Sequence, residues 1–110
     1  MKIKIDNMWS PDLNPTDGVP DDLASFEIGI TVSLSEIEEP GSEVFYLTVC
    51  DSKTLCEIEN GRFVSHTLVL EQFSWDDIKY RIEKLLRHTE SAKNWDEVIL
   101  ALSGCLRYSD

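Results

Sequence analysis

The sequence predicts an α+β domain, an antiparallel sheet of about four strands with two C-terminal helices packed on one face. Three observations carry that prediction. Apolar residues alternate with period two in the first half of the chain, most clearly where Phe26, Ile28, Ile30, Val32 and Leu34 interleave with Glu27, Gly29, Thr31, Ser33 and Ser35. Helical periodicity with capping residues takes over after Ser74. A chain of 110 residues, 42% hydrophobic, has the size of one domain, residues 1–110, and enough apolar material for one core.

The elements follow in order. Residues 2–8 alternate polar and apolar side chains and read as a first strand. Residues 10–22 hold Pro11, Pro15, Pro20 and Gly18 among four aspartates, which predicts a long exposed loop of the kind that carries function. The strand of residues 26–35 is predicted to keep one face in water. A turn at 36–42 around Pro40-Gly41 leads back into a third strand, Glu43 to Cys50, completing a hairpin. Ser52 reads as the N-cap of a short helix ended by Asn60-Gly61, and Phe63–Gln72 as a fourth strand.

Two helices close the chain. Ser74 caps the first, whose stripe is Trp75, Ile78, Ile82, Leu85 and Leu86, with Asp77–Arg81 and Glu83–Arg87 spaced four apart outside. Asn94 caps the second, with Glu97 three residues on and Trp95, Val98, Ile99 and Leu102 facing inward until Gly104.

Charge narrows the function. The formal net charge is −11, which disfavours nucleic acid and anionic membrane surfaces as partners, since both need Lys and Arg. Residues 5–52 contain eleven carboxylates and no Lys or Arg. A field of one sign keeps a small protein soluble, and it also steers a basic partner. Residues 1–6 do not read as a signal peptide, and no apolar run reaches membrane-spanning length, so the expected compartment is the cytoplasm. Cys50, Cys56 and Cys105 fit no disulfide framework and read as reduced thiols packed as small hydrophobes.

Catalytic patterns are absent from the sequence. No Cys or His pair has zinc-ligand spacing, and the glycines form neither a phosphate loop nor a dinucleotide fingerprint. His66 reads as a half-buried structural residue on a strand face with Val64, Leu68 and Leu70. His88 reads as a charge at a helix C-terminus. The expectation is therefore a binding protein, without cofactor or metal, rather than an enzyme. Trp75 and Trp95 belong to helix stripes, whereas Trp9 opens the acidic loop and suits either a sheet-edge cover or an interface anchor.

The order of segments resembles the immunity protein 8 family, small α+β immunity proteins of bacterial polymorphic toxin and contact-dependent inhibition systems. Ser10-Pro11-Asp12 is similar to that family's opening. Phe45-Tyr46-Leu47-Thr48-Val49-Cys50 followed by Ser52-Lys53-Thr54-Leu55 is similar to its third strand and short helix. Gly61-Arg62-Phe63 with His66 and Leu68-Val69-Leu70 resembles its fourth strand. Ile78 and Ile82, then Trp95-Asp96-Glu97, resemble its closing helices. The ending Leu106–Asp110 departs from the family's pattern.

The resemblance implies stoichiometric inhibition of a cognate protein toxin. The charge adds that the toxin presents a basic surface, as a nuclease does. Candidate contact residues are Trp9, Asp12, Asp17, Asp21 and Asp22 around the loop, and Glu36, Glu38 and Glu39 on the hairpin turn. The alternative is an acidic scaffold subunit of a larger assembly.

Overall fold

The computed structural model describes residues 1–58 and 64–109. It contains strands β1 (Ile3–Trp9), β2 (Glu27–Glu36) and β3 (Glu43–Cys50), helix α1 (Ser52–Ile58), strand β4 (Thr67–Val69), helices α2 (Trp75–Leu86) and α3 (Trp95–Leu102), and strand β5 (Arg107–Tyr108). A single 3-10 turn, Arg87–Thr89, links α2 to the α3 approach. This is the expected α+β architecture, a largely antiparallel sheet with both C-terminal helices on one side.

The sheet runs β1-β2-β3-β4, with β5 also on β3. β1, β2 and β3 pair antiparallel, with a register shift in β1 between Ile5 and Asn7. β4 and β5 share the far edge of β3. β4 lies parallel beside Thr48–Cys50, and β5 lies antiparallel beside Phe45 and Tyr46.

Register decides which residues meet the helices. Ile28, Ile30, Val32 and Leu34 stand opposite Val49, Leu47, Phe45 and Glu43, and the apolar members of both rows join one cluster with Ile78, Ile82 and Leu86 of α2 and Val98 and Leu102 of α3. Val32, Leu34, Phe45 and Val49 are fully buried there. Burial of such side chains, about 1.5–3 kcal/mol each, ties the helices to that face. Ser74 Oγ accepts the Asp77 N–H and Asn94 Oδ1 accepts the Glu97 N–H, as the capping pattern predicts.

Several expectations are corrected. Thr31, Ser33 and Ser35 were expected on a wet strand face, yet each is at most 7% exposed. They do lie on the face without helices, but β2 is central and its small side chains are shaded by larger neighbours about 5 Å away. Trp9 and Tyr46 flank Thr31, Asn7 and Val44 flank Ser33, and Lys4 stands beside Ser35. The fourth strand is shorter than the sequence suggests. His66 precedes it with φ 54, so the expected strand face shared with Val64 does not form. The expected helix stop at Asn60-Gly61 and strand start at Phe63 lie outside the described residues. Of the outer pairs on α2, Asp77–Arg81 forms at 3.0 Å, while Glu83 meets Lys79 at 4.0 Å rather than Arg87. Cys50 is buried, but Cys56 and Cys105 are exposed free thiols rather than packed ones. No described helix is long and apolar enough to cross a membrane.

Asp51, not Ser52, caps α1, and it also closes the start of β2. Oδ2 accepts the Thr54 N–H at 3.1 Å and Oδ1 accepts the Phe26 N–H at 2.8 Å. Hydrogen bonds from the Thr54 side chain and then the Phe26 N–H favour the charged form and outweigh desolvation, lowering the pKa from 3.8 to about 2. A depressed carboxylate contributes stability above its unfolded pKa and loses it as pH falls through the folded value. Thermal melts should therefore show the native protein losing more Tm than Asp51→Asn as pH falls from about 4 to about 2. A constant Tm gap between the two across that window would sink this assignment.

Candidate functional site

Helices α2 and α3 cover one face of the sheet, and alternation sends the remaining side chains of β1–β3 to the opposite face. Register builds a row across it: Trp9 of β1 stands opposite Thr31 of β2, Thr31 opposite Tyr46 of β3, and Tyr46 opposite Arg107 of β5. The Arg107 guanidinium sits over the Tyr46 ring at 4.8 Å, a cation–π contact that fixes both side chains. Trp9 is half-exposed and its indole N–H has no partner among the described residues. Trp, Tyr and Arg are the residue types that most often anchor protein interfaces, because each presents a large rigid surface with a polar edge.

The loop of residues 10–26 closes one end of this face, and it is held firmly. Pro20 and Leu13 are buried, and the Trp75 indole N–H donates to the Gly18 carbonyl at 2.6 Å. Phe73 N–H donates to the Leu23 carbonyl at 2.8 Å, while its ring meets Phe26 and Trp75 edge-on, each at 5.5 Å. Asp12 has a structural task. β1 ends at Trp9, so the Gly29 N–H beyond it lacks a strand partner, and Asp12 Oδ2 accepts it at 2.7 Å. A Cβ on residue 29 would come within 3.1 Å of that oxygen, so the approach suits glycine. Asp22 Oδ1 accepts the Ala24 N–H. Asp17 and Asp21 project from the loop beside Val19, which is 60% exposed.

The hairpin turn closes the other end. Ile37–Ser42 reverses the chain with Glu38 at φ 72 and Gly41 at φ 93. Glu38 and Glu39 are exposed and Glu36 is half-exposed, and their carboxylates form no ion pair among the described residues. β2 separates the two ends: its ten residues, at about 3.3 Å each, span about 30 Å. The acidic candidates thus fall into two groups, one with Trp9 at the loop end and one at the turn end.

Within the C-terminal ending, Arg107–Tyr108 forms strand β5, integral to the sheet. Leu106 is 1% exposed, and the Tyr108 ring meets Phe45 at 5.3 Å while its hydroxyl donates to Glu43. Arg107 was missed in the sequence. Its only local signal is its place between Leu106 and Tyr108, which is too short a run to read as a strand.

His66 is engaged in structural contacts. His66 Nε2 lies 2.7 Å from the Ser103 carbonyl, which can only accept, so that nitrogen carries the proton and Nδ1 faces the Ser65 hydroxyl. His66 thereby ties the β4 approach to the end of α3. A cavity of about 390 Å³ opens beside it, lined by Leu47, Leu68, Ile82 and Leu85, but Arg81 at its edge is already engaged with Asp77. Among the described residues no three His, Cys, Asp or Glu side chains converge as a metal site.

The clamp on the loop is testable. Trp75→Phe keeps the ring packing and deletes the donor to Gly18. Amide exchange across the 10–26 loop should then speed by roughly five- to tenfold, the value of about one hydrogen bond, with α2 unchanged. Unchanged exchange would assign the clamp to Leu13 and Pro20 instead.

Comparison with known proteins places these features in context. The family described as immunity protein 8 matches the chain over residues 2–108. No curated protein and no solved structure matches it.

Proposed function

The chain belongs to the immunity protein 8 family, and from that premise we propose that it binds and neutralises one cognate bacterial toxin domain by stoichiometric protein–protein contact. The observation that carries this reading is the uncovered sheet face with its Trp9–Thr31–Tyr46–Arg107 row, bordered at both ends by carboxylates. A half-exposed aromatic row supplies desolvated contact area, and the carboxylates bring a basic partner to it.

The expected toxin carries a basic substrate surface, as a nuclease does. Between residues 5 and 52 the sequence has eleven carboxylates and no Lys or Arg, and although Lys4 and Arg107 stand nearby the field on that half of the chain is predominantly negative. Such a field imitates the phosphate row that a nucleic-acid enzyme recognises. Inhibition needs no bond-making step: occupancy of the toxin surface excludes its substrate. Neither nucleic acid nor membrane is an expected partner, and the expected place of action is the cytoplasm.

Two measurements check the reading. Tagged protein should capture a single partner from lysate that is poisonous when expressed alone and silent when mixed at equal molar ratio. Capture of a harmless partner, with self-association at every concentration, would favour an acidic scaffold subunit instead. For the captured toxin, the association rate should fall steeply as salt rises past about 0.1 M, where the Debye length is about 10 Å. Trp9→Ala should weaken binding by about 2 kcal/mol or more, read as a faster off-rate, with the amide spectrum showing the fold intact even where Tm falls. An on-rate flat with salt would remove the steering role from the carboxylates.

A further inference from the structure

β1 ends the sheet, and no described strand pairs with its outer side. The Lys2 carbonyl accepts the Ile37 N–H at 2.9 Å. Residues of an antiparallel pair alternate between bonded and unbonded, so Ile3 and Ile5, opposite Glu36 and Leu34, turn their own N–H and carbonyl groups outward. A groove runs between this edge and α2. Two cavities of about 320 and 730 Å³ lie along it, adjoining at Ile3, Glu83 and Leu86. Ile3 and Ile5 pack against the core yet stay half-buried, and Ile37 at the groove's end is 44% exposed. The local charge opposes that of the chain. Lys2, Lys4, Lys79 and Arg87 line the groove against Glu83 and Glu90, in a protein of net charge −11. Lys2 and Lys4 are exposed and form no ion pair among the described residues.

We propose that this edge is a docking site for one extended segment of another protein, which adds a strand beside β1 and alternates apolar with acidic residues. The incoming backbone hydrogen-bonds to the outward groups of Ile3 and Ile5. Its residues opposite those two share their face and place apolar side chains in the groove toward Leu86. The residues between them stand beside Lys2 and Lys4 on the other face, where a carboxylate pairs across the strands. The pairing is short, because the register shift after Ile5 re-aims the edge beyond it. Lysines on an open edge discourage indiscriminate strand pairing. Here they also select, since a basic strand is repelled and an acidic one is attracted. A second copy of this chain does not match: its own edge brings Lys2 and Lys4 again, and two bodies of charge −11 repel. The site is separate from the Trp9–Thr31–Tyr46–Arg107 row, and it stands whether or not that row binds a toxin.

The test uses the whole protein and a defined probe, a short peptide alternating valine and glutamate between glycine ends. In amide NMR titrations it should give saturable shifts centred on Lys2–Ile5 and on the groove side of α2, with Kd on the order of 0.1–1 mM. At saturation the Ile3 and Ile5 amides should exchange at least about fivefold more slowly, a mark of strand addition that side-chain contact alone does not leave. The same peptide with lysine in place of glutamate should not bind. A version N-methylated on the edge-facing amides should lose binding with its charge unchanged. Lys2→Glu with Lys4→Glu should weaken the glutamate peptide by about tenfold, with the amide spectrum showing the fold intact. No saturation up to about 10 mM would overturn the proposal, as would equal binding of the lysine or N-methylated peptide. Shifts centred on Thr31, Tyr46 and Arg107 would overturn it too. Protection of Ile3 and Ile5 that grows with protein concentration alone would give the edge to a second copy instead. None of these failures touches toxin neutralisation, which is read on a different surface.

Discussion

Two short helices can cover one face of a five-stranded sheet, and that limit governs how the remaining residues are used. Ile28, Ile30, Val32 and Leu34 turn toward α2 and α3, so their alternates must face away from any helix. Those alternates are Thr31, Ser33 and Ser35, small enough to be sheltered by Trp9, Tyr46, Asn7 and Lys4 on the adjoining strands. The bare face thus excludes water from its centre without an apolar patch that would invite aggregation. It also holds its larger aromatic and cationic groups in fixed register, the condition for tight association at low entropic cost.

The sheet ends are fastened by side chains that join elements far apart in sequence. Asp51 links the start of β2 to the first turn of α1, Asp12 finishes the edge of β2 where β1 stops, and Trp75 holds the loop carbonyl of Gly18. His66 performs the same service between β4 and the end of α3. Each fastening satisfies a backbone group that would otherwise be left open at the rim of the sheet. The loop between β1 and β2 is long, but these ties let it present Asp17, Val19 and Asp21 as a fixed surface rather than a fluctuating one.

What the sequence revealed and what it hid divide along the range of the interactions. β1 to β3 were legible because alternation is a local signal, and the caps Ser74 and Asn94 were legible because their partners lie three residues on. Asp51 was passed over for Ser52 because its second partner, Phe26, is twenty-five residues away. β5 was hidden because two residues carry no periodicity; only the pairing with Phe45 and Tyr46 makes them a strand. The shelter of Thr31 and Ser33 was hidden for the same reason, since it depends on which side chains stand opposite. Of the candidate site, the acidic character and the special position of Trp9 were readable. Tyr46 as its neighbour and Arg107 were not.

The separation of the two acidic ends has a physical consequence. Over the roughly 30 Å length of β2, screening at physiological salt leaves little direct coupling between them, because the Debye length is about 8 Å. In the proposed encounter they act together only on a toxin still distant and turning, where the half-chain appears as one predominantly negative field. In the proposed complex each end meets its own portion of the toxin, and local chemistry decides there. The loop end offers aspartates around an exposed Val19, already committed in part to holding the fold through Asp12 and Asp22. The turn end offers carboxylates that form no ion pair among the described residues.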